Sequence, residues 1–345
     1  MFDVNAIQIV VNEFLQTIGQ WLFLPMSVIT FIGDEEFFVL LLPIIYWCFN
    51  QKMGVRVGMM LLLSNGFNTF FKFLFRTPRP SWFSDRVQGY VHESSFGLPS
   101  GHAQNAAAVW GWLAVEVKKR WFSIAMLILI FLIGFSRLVL GVHFLGDVLL
   151  GWLIGGLLVW AFSALLKPVG QWVSAQSYGA KLGLVVVSSV GLMLLALIAR
   201  WVAGPWVMDP DWAVRAGDIN PYALDGTFTL GGTWLGMLGG FVILAEKKGY
   251  FMAGQGGWRR LARFLIGMIG VFILYFGLGR VFPREADVLS YSLRYLRYTL
   301  TGLWIAWISP ILFERINILQ FEKHVKLEKE AKFDGSGAEL EYLEE

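Results

Sequence analysis

About ten times between residues 7 and 317 the chain runs through an apolar stretch of the length that crosses a bilayer. In hydrocarbon the backbone N–H and C=O groups must bond within the spanning element, so each run is read as a membrane helix. The expected spans are roughly 7–33, 36–50, 55–75, 101–117, 121–141, 144–166, 181–203, 227–246, 261–280 and 298–317. The start of the first, Ile7 to Gln20, is amphipathic and suits the interface; the second is short and suits a tilted helix. Composition supports the same solvent. The chain is 56% hydrophobic and 15% charged, where soluble domains carry about 25% charged residues, and a core cannot absorb that much apolar side chain. Many of the 16 Trp stand near the ends of the runs, where aromatic rings favour the membrane interface.

The charges set an orientation. Lys52 and Arg56, Lys118 to Arg120, Lys167 and Lys181, and Lys247 to Arg263 fall on one side by alternation, and the positive-inside rule makes that side cytoplasmic. Asp34 to Glu36 and the acidic 209–225 connection fall on the other side. Both termini are therefore expected inside. The first residues lack a basic region and a small-residue cleavage site, so the first spans are expected to serve as the insertion signal. A net charge of +3, scattered along the chain, argues against nucleic acid as a partner. The lone Cys48, in an apolar run, reads as a small buried hydrophobe. Three regions are expected: a membrane core over 1–170, a second membrane region over 171–318, and a charged cytoplasmic tail over 319–345.

Three short stretches at the edges of apolar runs, all on the outer side of this map, carry the chemistry. The first runs from Lys72 to Arg79 and Pro80, with Arg76 between. Pro78 and Pro80 stop the helix and force an extended turn that carries Arg79 back toward a pocket. Arg offers a bidentate fork to phosphate oxygens and Lys a point charge; Arg76 reads as a lipid-headgroup contact. The second stretch is Pro99-Ser100-Gly101-His102. Gly101 lets backbone N–H groups approach an anion, and a helix beginning here turns its positive end toward phosphate. His102 suits a general acid. The third runs from Ser136 and Arg137 to His143 and Asp147. His143 and Asp147, four apart, share one helical face. A carboxylate on one imidazole nitrogen fixes the tautomer and frees the other nitrogen to attack. Gly141 allows the turn that brings Arg137 and His143 to one pocket. Of the remaining histidines, His92 reads as a loop residue and His324 belongs to the tail. The charges of the 209–225 and 280–285 connections read as solvated, with a lid or wall over the site as the other reading. No carboxylate cluster suggests a metal, so neither metal nor cofactor is expected.

Lys-x6-Arg-Pro, Pro-Ser-Gly-His and Ser-Arg-x5-His-x3-Asp, in that order, closely resemble the type 2 phosphatidic acid phosphatase superfamily, in its integral-membrane branch. The resemblance covers roughly residues 20–170. It implies an all-α, polytopic membrane helical bundle: a six-helix phosphatase core, here followed by about four additional C-terminal transmembrane helices that the family pattern does not cover. It also implies metal-independent hydrolysis through a phosphohistidine. By matching positions, His143 would be the nucleophile, Asp147 its partner and His102 the acid that later activates water, while Lys72, Arg79, Ser100, Gly101 and Arg137 would hold the phosphate. The expected substrate is a lipid phosphate or diphosphate: phosphatidate, an isoprenyl diphosphate or a sphingoid-base phosphate. A lipid phosphotransferase sharing the histidine intermediate, and a non-enzymatic transporter or scaffold, are the other classes. The complete first stretch favours hydrolysis over transfer. Few charges lie at midspan in the last four segments, which disfavours transport. The expected location is the plasma or inner membrane, with the site on the extracytoplasmic face.

Overall fold

The computed structural model describes residues 4–252 and 256–321. The chain opens with α1 (Val4–Ile18), a short 3-10 turn, and α2 (Phe23–Phe31), which meet at an angle of 85°. Next come α3 (Glu35–Ile44), extended by a π turn over Ile45–Phe49, and α4 (Gln51–Phe75). After α4 a loop holds the short α5 (Pro80–Phe83) and leads to α6 (Gly101–Val117). The first half closes with α7 (Arg120–Val139) and α8 (Leu145–Ser174). The second half holds α9 (Tyr178–Ala203), the short α10 (Pro210–Ala216) and α11 (Asp225–Lys247). It ends with α12 (Gly257–Phe272), a π turn and α13 (Leu278–Val281), then α14 (Val288–Leu303), a further π turn over Trp304–Ile308, and α15 (Ser309–Arg315). One two-residue antiparallel ladder, β1 (Phe251–Met252) with β2 (Gln320–Phe321), is the exception to an all-helical chain among the described residues.

Helices start and stop where local chemistry directs. Asn50, Ser100, Ser177 and Asp287 cap α4, α6, α9 and α14 with side-chain oxygens that accept from backbone N–H groups two or three residues on. Pro80 begins α5 at the position where a missing N–H costs nothing. Arg76 ends α4 in the left-handed conformation, ahead of Pro78.

The bundle is the reverse of a soluble domain. Leu127, Phe131, Leu153, Val187 and Ile269 lie exposed on its outside, whereas Asn12, Gln51, Ser64, Gln104 and Ser189 are buried. An apolar exterior over helices of this length is the surface of an integral membrane protein. Trp121, Trp172, Trp201 and Trp258 are exposed near helix ends, as interfacial rings are. Helices stand at every segment where a span is expected, but fewer qualify as spans on their own. Among the described residues five helices are long and apolar enough to cross a membrane, or six if the bent α1–α2 pair is one span. The difference has a physical cause. α4 carries Asn65, Asn68 and Lys72 on its buried side, α6 has only 17 residues, and α14 carries Arg294 and Arg297. Such helices sit among their neighbours and need not be as apolar as helices bathed in lipid.

The two halves share their cores. Leu62 of α4, Leu192 of α9, and Leu230 and Trp234 of α11 form one buried cluster. Tyr46 and Trp47 donate hydrogen bonds to the carbonyls of Ala306 and Ile305, at 2.7 and 2.9 Å. α11 and α14 touch backbone to backbone: a Cβ on Gly236 would lie 2.1 Å from the Thr299 carbonyl oxygen. Leu319 and Phe321 are buried against Phe251 and Phe313, so packed chain continues past residue 318. The expected charged tail otherwise lies outside the described residues.

Candidate active site

The turn joining α7 to α8 brings the third stretch together. Gly141 stands at φ 68°, and a Cβ there would lie 2.2 Å from the carbonyl oxygen of Gln88. The turn folds back so far that Val142 N and His143 N both donate to the Arg137 carbonyl, at 3.2 and 3.3 Å. Arg137 and His143, which one straight helix would turn apart, thus enter the same buried region. His143 Nδ1 lies 3.1 Å from Asp147 Oδ2, and the same carboxylate oxygen accepts the Phe144 N–H at 3.0 Å. With Nδ1–H donating to the Asp147 carboxylate, Nε2 is the unprotonated nitrogen and carries the lone pair. Burial, and then the charges of Arg79, Lys72 and Arg137, push His143 well below its ordinary pKa, so the ring is neutral and nucleophilic.

His143 Nε2 looks directly at a cation. Arg79 Nη1 is 3.1 Å away and also donates to the Val142 carbonyl at 2.9 Å. The rest of the Arg79 fork is held by the loop before α6: Nε donates to the Ser95 carbonyl at 2.7 Å and Nη2 to Ser95 Oγ at 3.1 Å. Lys72 Nζ donates to the same Ser95 hydroxyl at 2.7 Å. Arg137, fully buried, donates through Nη1 to Thr30 Oγ1 of α2 at 2.5 Å, and its Nε has no partner among the described residues. His143, Asp147, Lys72, Arg79 and Arg137, remote in sequence, therefore meet as one buried cluster.

The second stretch stands beside this cluster in a different way. Ser100 is buried and its hydroxyl caps α6, accepting from Ala103 N at 3.4 Å, while its own N–H donates to the Asp147 carbonyl at 3.0 Å. Accepting there uses a lone pair and leaves the hydroxyl's own O–H, the group expected on the phosphate, as a donor. Gly101 packs against Asn68: a Cβ would lie 3.2 Å from Asn68 Oδ1. His102 is partly buried, and its Nε2 lies 2.5 Å from Asp34 Oδ1 at the start of α3. Arg76 turns away from the cluster. Its guanidinium bonds the carbonyls of Arg200 and Gly204 and the Tyr222 hydroxyl, and so ties α4 to the second half. The 209–225 connection, its charges read as solvated, packs on the loops around the site: Arg215 donates to the Trp82 carbonyl at 3.2 Å, and Tyr222, with Trp206 just ahead of the connection, packs on Phe96.

Several residues of the site were not singled out from the sequence. Glu93 is the chief one. Its carboxylate bonds Arg79 Nη2 at 3.2 Å and Arg137 Nη2 through its other oxygen. Burial opposes its ionisation, but Arg79 and Arg137 outweigh burial and hold it well below the usual carboxylate range. A signal existed: three cations heading for one apolar pocket need a counter-charge, and Glu93 lies in the loop between the first two stretches. Asp34, Thr30 and the amphipathic stripe of α1 also escaped. Gln8 accepts from Gly146 N at 2.6 Å, and Asn12 donates to the carbonyls of Leu138 and His143 at 2.9 and 3.0 Å. Gln16 donates to the Gln88 and Val139 carbonyls. Beneath His102, Asn68, Gln104, Ser64 and Asn105 link α4 to α6 by side-chain hydrogen bonds. Among the described residues no three His, Cys, Asp or Glu side chains gather so as to hold a metal ion.

This arrangement places a neutral imidazole, oriented by a carboxylate, against a set of buried cations, with a second histidine–carboxylate pair nearby. A family model described as the PAP2 superfamily matches residues 54–170, and one described as the PAP2 superfamily phosphatase, transmembrane extension, matches residues 228–322. Phosphatidylglycerophosphatase B of Bacillus subtilis (strain 168) is 36% identical over 152 residues, 40% of this chain and 72% of that protein. The chain belongs to the PAP2 superfamily. It is also similar to the human glucose-6-phosphatase 3, 28% identical over 231 residues, 60% of this chain and 64% of that protein, so it spans under two thirds of that relative's length. A crystal structure of a transmembrane PAP2-type phosphatidylglycerolphosphate phosphatase from Bacillus subtilis is 28% identical, covers 48% of this chain and 87% of its own, and superposes with a TM-score of 0.43.

Proposed function

We propose that the protein is a membrane phosphatase that hydrolyses a lipid phosphate or diphosphate through a phosphohistidine at His143, without a metal. The observation that carries this reading is the aim of His143: Nδ1 rests on Asp147, and Nε2 faces the Arg79 guanidinium at 3.1 Å. A phosphoryl group bound by Arg79 brings its phosphorus to the free lone pair. Nε2 attacks, the bond from phosphorus to the leaving oxygen breaks, and His102 gives that oxygen its proton. Asp34 steadies the imidazolium form of His102 before this step, as Asp147 steadies that of His143 after it. Water, deprotonated by His102, then displaces His143 and releases inorganic phosphate. Lys72, Arg79 and Arg137 neutralise charge on the transferring group, the part a metal ion plays in other phosphoryl-transfer sites. Ser100 and Gly101 contribute by starting α6, whose N-terminal end is favourable to phosphate oxygens.

The basic connections predict a cytoplasmic side opposite the three stretches, so the site faces outward and the termini inward. A lipid headgroup then reaches the site while its hydrocarbon stays within the membrane. Purified protein is expected to release phosphate from one or more of phosphatidate, lysophosphatidate, sphingosine phosphate and isoprenyl diphosphates. Vanadate should inhibit and EDTA should not. Activity lost to EDTA and restored by Mg²⁺ overturns the metal-free step, and turnover persisting in a folded His143→Ala variant removes His143 as nucleophile.

A further inference from the structure

We infer that the transmembrane extension forms one wall of the substrate's own chamber, and that this chamber accepts a lipid phosphate with a single hydrocarbon chain. The inference rests on the phosphatase reading above. A cavity of about 650 Å³ begins at Lys72, Glu93 and His102. Along α4 its lining runs from Phe73 to Leu61, about 18 Å at 1.5 Å per residue. On α11 the lining runs over the same length, from Asp225 to Met237. Met237 marks the far end, because a Cβ on Gly58 of α4 would lie 2.5 Å from its sulfur. The chamber is thus shared between the two halves of the chain; on the first-half side Glu93 and Ser95 line it and bond Arg79, and His143 stands behind Arg79, off the lining itself.

Its polarity changes along its length. Next to the phosphate end stand Asn68, Thr69 and Asn105 from the catalytic half and Thr227 and Thr229 from α11. At the far end Leu42, Leu61, Met237, Val271 and Ile305 predominate, with Tyr275, Tyr298 and Thr301 as the polar groups beside them. A phosphate, a short hydroxyl- or amine-bearing backbone and a hydrocarbon chain follow one another in the same order. Thr227 adds an independent sign of a ligand. It is 2% exposed, lines the cavity, and its hydroxyl has no partner among the described residues. A buried hydroxyl left without a partner is unfavourable and calls for one. The volume lies within the range of small-molecule pockets, about 300–1,000 Å³. Its length and volume suit one hydrocarbon chain with its headgroup. A sugar phosphate anchored at Lys72 would end among the Asn and Thr side chains and leave the apolar end empty.

The test is phosphate release by the purified full chain from oleoyl and hexanoyl lysophosphatidate, dioleoyl phosphatidate and glucose 6-phosphate, with Met237→Trp and Thr227→Val beside wild type. Oleoyl lysophosphatidate should exceed the last two in kcat/KM. Met237→Trp, shown folded by its elution profile and melting, should lower the oleoyl-to-hexanoyl ratio of kcat/KM by about tenfold or more, the scale at which an apolar pocket discriminates chain length. Thr227→Val should raise KM with little change in kcat, the sign of a lost binding contact. An unchanged oleoyl-to-hexanoyl ratio in Met237→Trp, or a preference for dioleoyl phosphatidate, overturns the single-chain chamber and leaves the lipid phosphatase reading intact; a preference for glucose 6-phosphate overturns the lipid substrate as well. Failure of wild type on all of these, and on sphingosine phosphate and isoprenyl diphosphates run beside them, overturns both.

Discussion

Glu93 balances the buried cations of the site. Its two oxygens meet Arg79 and Arg137, the same donors a phosphate would use. Replacing it by Gln leaves two buried guanidinium groups without their counter-charge, and removing one partner of such a set costs about 3–5 kcal/mol. Glu93→Gln should therefore melt at lower temperature in anion-free buffer, and inorganic phosphate should raise its melting temperature more than it raises that of wild type. Equal responses to phosphate would contradict a shared site. His143 makes the site sensitive to acid. Its folded-state pKa lies well below 6.5, the value it regains on unfolding, so between the two the unfolded chain binds more protons. Its neutral burial therefore favours folding above about pH 6.5, and this contribution fades as pH falls toward the folded value. The loss of melting temperature from about pH 7.5 to about pH 5.5 should shrink in His143→Gln; an undiminished loss would assign the acid sensitivity elsewhere.

Among the elements, the turn between α7 and α8 sets the geometry, and Gly141 sets the turn. An alanine there meets the Gln88 carbonyl oxygen in a left-handed backbone, which alone costs about 1–2 kcal/mol. Gly141→Ala should lower kcat by displacing His143 from Arg79, and should lower the melting temperature; wild-type kcat in that variant would show that the turn does not aim His143. This turn was legible in the sequence, because a glycine between Arg137 and His143 is what a change of direction requires. The helix that holds it was only half legible. The polar stripe Gln8, Asn12 and Gln16 of α1 marks an amphipathic helix, which on sequence alone suits a membrane interface. Its partners are backbone carbonyls and N–H groups of a turn more than a hundred residues away, and such groups leave no pattern in the sequence. Asp34 was hidden for a similar reason. Beside Glu35 and Glu36 it reads as a topology charge, and only packing of α3 against the start of α6 gives it His102.

For the whole molecule, the apolar runs announced where helices would stand, since runs of that length have no other use in lipid. They did not announce how many cross the bilayer unaided, because polar side chains that face a cavity count against a helix that neighbours enclose. Nor did they reveal what the second half does, because the residues it lends to the cavity, Thr227, Thr229, Met237, Val271 and Ile305 among them, form no motif of their own. The close approach of α11 to α14 depends on Gly236 and Gly302. Gly236→Leu should force the helices apart at the strain cost of an overfilled core, about 1–3 kcal/mol, and lower the melting temperature; an unchanged melt would mean that this contact contributes nothing to stability. The central claim is that His143 carries the phosphoryl group between substrate and water. Its most direct measurement is mass spectrometry of the protein quenched in alkali during turnover. The peptide containing His143 should gain the mass of one phosphoryl group; with a leaving group that needs no proton, such as p-nitrophenolate, His102→Ala slows only release and should increase the fraction. Turnover with that peptide unmodified in both proteins, or with the group on another residue, would contradict the account.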